Sequence, residues 1–123
     1  MASAGIHHFL CDQGATFRKT ITLKESDGSL VNLNGYTARM KIKDEVGGTL
    51  IKSLTSAANG GLTIGGSAGN SANGEIDILI SASDTTSFSA PTTAVYDIET
   101  LTSGGIVDRI LQGKFIINPE VTD

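Results

Sequence analysis

Tryptophan is absent, cysteine occurs once and proline twice among 123 residues. A single cysteine excludes an internal disulfide and any zinc site built from several thiolates. Aromatic residues make up only 5%, which is sparse for a module that stacks sugar rings or bases on flat side chains. No apolar run approaches the roughly 18 residues of a membrane-spanning helix, and no membrane partner is expected. The opening stretch Met1-Ala2-Ser3-Ala4-Gly5-Ile6-His7-His8 has neither the basic start nor the apolar segment of a secretory signal. Synthesis in a cytoplasm that keeps the lone thiol reduced is the expectation. Net charge is −4, opposite to the balance of a nucleic-acid binder, so no nucleic-acid partner is expected. The charge is uneven: residues 1–60 carry seven Lys/Arg against five Asp/Glu, and residues 61–123 carry two against eight.

What is present is glycine, 15 residues of it, and a side-chain period of two. Tyr36, Ala38, Met40 and Ile42 alternate with Thr37, Arg39, Lys41 and Lys43, the pattern of a half-buried antiparallel strand. Phe17, Ile21 and Leu23 share a face, as do Ile76, Ile78 and Ile80, and Tyr96 with Ile98. The run Ile106–Asn118 is rich in β-formers but broken by Gly113, which reads as a bulge that swaps the side-chain phase. Asp27-Gly28, Asn34-Gly35, Asn59-Gly60 and Asn73-Gly74 are turn dipeptides, because these residues accept positive φ. Gly47-Gly48 and Gly104-Gly105 predict two hairpins, 36–44 with 49–55 and 94–101 with 106–112. Capping residues at Ser83-Asp84 predict one helical turn near 83–88, 3₁₀ in type, with Phe88 pointing inward.

About seven short strands imply an all-β fold, an antiparallel β-sandwich of immunoglobulin-like type without the disulfide. The expected core is Phe17, Ile21, Leu23, Leu33, Ala38, Met40, Ile42, Leu50, Leu54, Ile64, Ile76, Ile78, Ile80, Phe88, Tyr96, Ile98 and Ile110. Two segments fall outside this pattern. Residues 1–14 read as an N-terminal arm with Ile6, Phe9 and Leu10 as anchors, leaving 15–123 as the sandwich domain. Residues 57–74 read as a long loop around a Leu62-Thr63-Ile64 patch, either mobile or pinned by a neighbour.

No arrangement of residues makes an enzyme. The glycine-rich stretch lacks the Gly-Lys-Ser/Thr ending of a phosphate loop. His7, His8, Cys11 and Asp12 have loose spacing for a metal and read better as part of an assembly arm or a disordered start. Asp97 and Glu99 lie two apart on one strand, and read as a solvent face within cross-strand reach of Arg109 rather than an acid–base pair. No serine stands in a nucleophile elbow, and Cys11 has no downstream histidine to activate it. No catalytic, metal or cofactor site and no small-molecule substrate are therefore expected. Arg39, Lys41 and Lys43 form a basic stripe without interleaved aromatics. It reads as a solvated strand face or a docking face for an acidic patch on a neighbouring subunit.

Several segments carry a family resemblance. They are Gln13-Gly14-Ala15-Thr16-Phe17, Asp27-Gly28-Ser29, Val31-Asn32-Leu33-Asn34-Gly35-Tyr36-Thr37-Ala38-Arg39-Met40, Ala94-Val95-Tyr96-Asp97-Ile98-Glu99, Arg109-Ile110-Leu111-Gln112-Gly113 and Pro119-Glu120-Val121-Thr122. The chain resembles the small virion structural proteins of tailed bacteriophages, and is similar to the immunoglobulin-like N-terminal module of phage baseplate upper proteins. The resemblance implies a non-enzymatic tail or baseplate adaptor, present in several copies, located in the virion and partnered by other virion proteins. It supplies no catalytic residues. A capsid-decorating protein and a carbohydrate-binding attachment module are the alternatives. The expected assembly contacts are Ile6, Phe9, Leu10, Arg39, Lys41, Lys43, Leu62 and Ile64.

Overall fold

The computed structural model describes residues 5–66 and 69–121. Nine strands lie in this range: β1 Gly5–Ile6, β2 Phe9–Asp12, β3 Phe17–Thr22, β4 Thr37–Lys43, β5 Leu50–Thr55, β6 Leu62–Ile64, β7 Glu75–Ile80, β8 Thr92–Leu101 and β9 Val107–Asn118. One sheet has the order β1-β9-β8-β4-β5, with β2 also on β9, and the other has the order β3-β7-β6. Every pairing between these strands is antiparallel except that of β1 and β2 with β9. Two packed sheets in this strand order, with the N-terminal strand laid parallel on the C-terminal one, make an immunoglobulin-like β-sandwich.

The period-two pattern produces the core directly. On β4, Ala38, Met40 and Ile42 are buried while Thr37, Arg39 and Lys41 are exposed. Ile76, Ile78 and Ile80 of β7 close the layer from the other sheet. Both expected hairpins form, β4 with β5 and β8 with β9. The four turn dipeptides each place a residue at positive φ, at Gly28, Gly35, Asn59 and Gly74. A helix, α1, spans Ala82–Thr86 with Ser81 as its N-cap. Thr85 N–H donates to the Ser81 carbonyl, so the turn is α rather than 3₁₀, and Phe88 behind it is buried as expected. No helix among the described residues is long and apolar enough to cross a membrane.

Four further expectations need correction. The segment read as an arm is part of the sheet over residues 5–12. Phe9 pairs with Phe115 and Cys11 with Ile117, and both Phe9 and Cys11 are buried. The 57–74 loop contains β6, paired with β7, and a 3₁₀ turn at Ser71–Asn73; residues 67–68 of it lie outside the described range. Leu50 is 48% exposed, because β5 is an edge strand whose register slips at Lys43. Finally, β9 does change phase, but at Ile110: Ile98 pairs with Leu111 and Glu99 with Arg109, leaving Ile110 as the extra residue. Gly113 has another role. A Cβ there would collide with the His7 carbonyl, where the chain passes between β1 and β2.

Candidate functional site

The outward face of the larger sheet gathers five of the chain's nine Lys/Arg. On β4 the side chains of Arg39, Lys41 and Lys43 point away from the core, because their neighbours Met40 and Ile42 are fully buried and successive residues alternate. Strand β8 brings Glu99 opposite Arg39, Asp97 opposite Lys41 and Val95 opposite Lys43. Strand β9 adds Arg109, paired with Glu99, Gln112, paired with Asp97, and Lys114, paired with Val95. Two ion pairs cross the face: Arg39 Nε to Glu99 Oε1 at 2.8 Å and Arg109 Nε to Asp97 Oδ2 at 3.4 Å. Both carboxylates are thereby occupied by guanidinium groups, as the alternation anticipated for Asp97 and Arg109. Among the described residues Lys41, Lys43 and Lys114 make no ion pair.

Five cations and two carboxylates give this face a charge of +3 on a chain of −4. A shallow open groove of about 760 Å³ runs across it, bounded by Ile6 at one side and by Val46 and Gly47 at the β4–β5 turn. Val46 is 90% exposed and Ile6 72%. At the rim Asp44 is committed to its own turn, accepting a hydrogen bond from Thr49 N–H at 2.7 Å. A second open trough, about 920 Å³, lies at the edge strands β5 and β6, where Lys52 and Asp84 pair at 2.9 Å. Lys52, by hydrogen bond and charge, holds the Asp84 carboxyl below its ordinary range.

The structure places the eight expected contact residues differently. Arg39, Lys41, Lys43 and Ile6 share the basic face. Leu10 is 62% exposed and lies further along the same edge, opposite Ile116. Phe9 and Leu62 are in the core and cannot meet a partner, and Ile64 is half-buried against the core. Sequence reasoning missed Val46 and Lys114. The first is an apolar residue between Glu45 and Gly47 at a hairpin tip, a position where nothing local buries it. The second faces outward only because the phase change precedes it, at Ile110 rather than at Gly113.

His7, His8, Cys11 and Asp12 do not converge. Cys11 faces the core while Asp12 is exposed, and burial pushes the Cys11 thiol up to about 11. His8 Nδ1 accepts a hydrogen bond from Lys114 N–H at 2.9 Å, and the His7 ring packs edge-on against Phe9 at 4.9 Å. Among the described residues, no three His, Cys, Asp or Glu side chains converge as a metal site.

The segment Gln13-Gly14-Ala15, one of those carrying the family resemblance, is a latch. Gln13 Nε2 donates to the Phe88 carbonyl at 2.8 Å, and its Oε1 accepts from Glu120 N–H at 3.0 Å. Gly14 N–H donates to Thr85 Oγ1 at 3.1 Å, and that hydroxyl donates to the Ala15 carbonyl at 2.8 Å. These are fold-making contacts, and no other signal in the sequence marked Thr85.

No protein-family description matches the chain, and no curated protein matches it. Among solved structures, it is similar to one from a photo-crosslinking study of multimeric cell-adhesive interactions of VGSC beta subunits. That match has 13% identity and a TM-score of 0.46, covering 99% of this chain and 98% of the other. It is also similar to a chain in the crystal structure of ICOS in complex with ICOS-L and an anti-ICOS-L VNAR domain. There the identity is 9% and the TM-score 0.41, over 95% of this chain and 56% of the other.

Proposed function

We propose that this chain is a non-enzymatic structural protein of a tailed phage particle, an adaptor in the tail or baseplate that acts through protein–protein contacts and is present in several copies. The observation that carries the reading is the apolar border of the basic face. Ile6 and Leu10 stand outward on the N-terminal edge of the sheet at 72% and 62% exposure, and Val46 stands at its other side. Large apolar side chains at a sheet edge invite a partner, since an isolated domain normally blunts such an edge. The tail or baseplate location in this proposal rests on the resemblance of the quoted segments to phage baseplate upper proteins.

The test is incorporation. The double variant I6D/L10D changes only exposed side chains, so its circular dichroism and thermal midpoint should match the wild type. Phage propagated with it should assemble particles that lack the protein, whereas wild-type protein should fractionate with tails. Wild-type levels of the variant in purified tails would overturn the role of this edge. Residence of the wild-type protein on heads at high copy would favour the capsid-decorating alternative instead.

A further inference from the structure

We infer that the basic face docks an extended acidic segment of a partner protein, with carboxylates at alternate positions lying along β4. The inference rests on the adaptor reading and names the chemistry of what the adaptor holds.

Charge selects the occupant. The face carries +3 on a molecule of −4, holding five of the nine Lys/Arg against two carboxylates. The two guanidinium groups are paired with Glu99 and Asp97, and Lys41, Lys43 and Lys114 make no ion pair among the described residues. Lys41 and Lys43 are two residues apart on one strand, so their stems rise about 7 Å apart, the repeat of an extended chain. Lys114 lies two strands from Lys43 across Val95, about 10 Å away at the ordinary strand spacing. An extended segment with acids at positions i and i+2 meets Lys41 and Lys43 in register. An apolar residue beyond them reaches Val46, and Lys114 flanks the segment on the β9 side. A nucleic acid would also meet the cations, but no exposed aromatic ring lines the groove for base stacking. The chain's net negative charge opposes a long polyanion.

The test is a titration of the full chain with synthetic peptides, followed by NMR. The probe is an acetylated eight-residue peptide alternating Glu and Thr and ending in Val. Its controls are the Gln-for-Glu analogue and a peptide of the same composition with its acids contiguous. The expected result is saturable binding by the alternating peptide, with shifts confined to outward residues of β4, β8 and β9. The K41E/K43E variant should weaken it by about tenfold or more, and added salt should weaken it further. Both lysines are solvent-facing, so an unchanged thermal midpoint establishes that the variant is folded. K114E, on a different strand, should also weaken binding. Absence of binding, undiminished binding by K41E/K43E, equal binding of the contiguous-acid peptide, or tighter binding of single-stranded oligothymidine would each overturn the inference. Particle incorporation is read separately: a chain that binds the peptide but is absent from particles would end the adaptor reading and leave the acidic-segment site standing.

Discussion

Thr85 and Thr100 are both buried threonines with opposite accounts. The Thr85 hydroxyl is 0% exposed as a residue and joins Gly14 N–H to the Ala15 carbonyl. The Thr100 Oγ1, on β8, finds no hydrogen-bond partner. Replacing each by valine keeps shape and removes the hydroxyl. At Thr85 the change strands a backbone donor and an acceptor, a loss of about 1–3 kcal/mol. At Thr100 it removes an unsatisfied polar atom, so T100V should lie within about 0.5 kcal/mol of the wild type or exceed it. Urea unfolding of the two variants separates them; equal losses would contradict these hydrogen-bond assignments. Cys11 makes a third residue-scale case. It is 1% exposed, and burial raises its thiol from 9.0 to about 11, with Asp12 adding to the shift. A folded-state pKa above the unfolded one means its contribution to stability is complete below the unfolded value and is lost as pH rises through the folded one. At pH 8 the native thiol should therefore react slowly with a disulfide reagent and rapidly in denaturant. Fast stoichiometric labelling of native protein would show that β2 opens.

The N-terminal strand shows where sequence legibility ended at the scale of elements. Strands β4, β7 and β8 announce themselves by alternation, and the core positions Met40, Ile42, Ile76, Ile78 and Ile98 follow from it. Residues 5–12 do not, because β1 and β2 together are too short to repeat a pattern and His7-His8 interrupts them. Their partner is β9, at the other end of the chain, and only that pairing makes Phe9 a core residue. Once in place, Phe9 stacks tilted on Tyr96 at 4.9 Å and edge-on to Phe17 at 5.6 Å, while the Tyr96 hydroxyl donates to the His7 carbonyl at 2.6 Å. The same burial that raises the Tyr96 hydroxyl's proton affinity keeps it a donor there. Removal of residues 1–12 would empty the Phe9 site, expose one side of β9 and free the Tyr96 hydroxyl. Loss of a buried phenylalanine side chain alone costs about 3–5 kcal/mol, so the truncated chain should be unfolded or strongly destabilised by thermal melting. A truncated domain with a near-native midpoint would show that this strand only decorates a complete sandwich.

For the whole molecule, the sandwich class was readable because it depends on many repeated local signals. The basic face was readable in its β4 part and in the reach of Arg109 to Asp97 and Glu99, but not as one surface. Arg39, Lys41 and Lys43 are neighbours in sequence and Val46 follows three residues on in the hairpin tip, whereas Ile6 and Lys114 join them through pairings between distant segments. That same non-locality governs folding. Gly5 meets Leu111 and Asp12 meets Asn118, so the larger sheet closes only when the two ends of the chain come together. The two sheets share one core, since Phe17 of the smaller sheet lies 5.1 Å from Phe115 of the larger. One core with its last seam between the termini implies a single cooperative transition, without a stable half. Refolding should be slow for the size, in the range of about milliseconds to seconds, because loop closure over most of the chain precedes its reward. Urea unfolding followed by far-ultraviolet circular dichroism reports both sheets, and the fluorescence of Tyr36 and Tyr96 reports the core, there being no tryptophan to mask it. The two curves should coincide. A tyrosine transition that precedes the loss of β-structure would mean that the N-terminal seam, to which Tyr96 is bonded, opens before the sandwich that it closes.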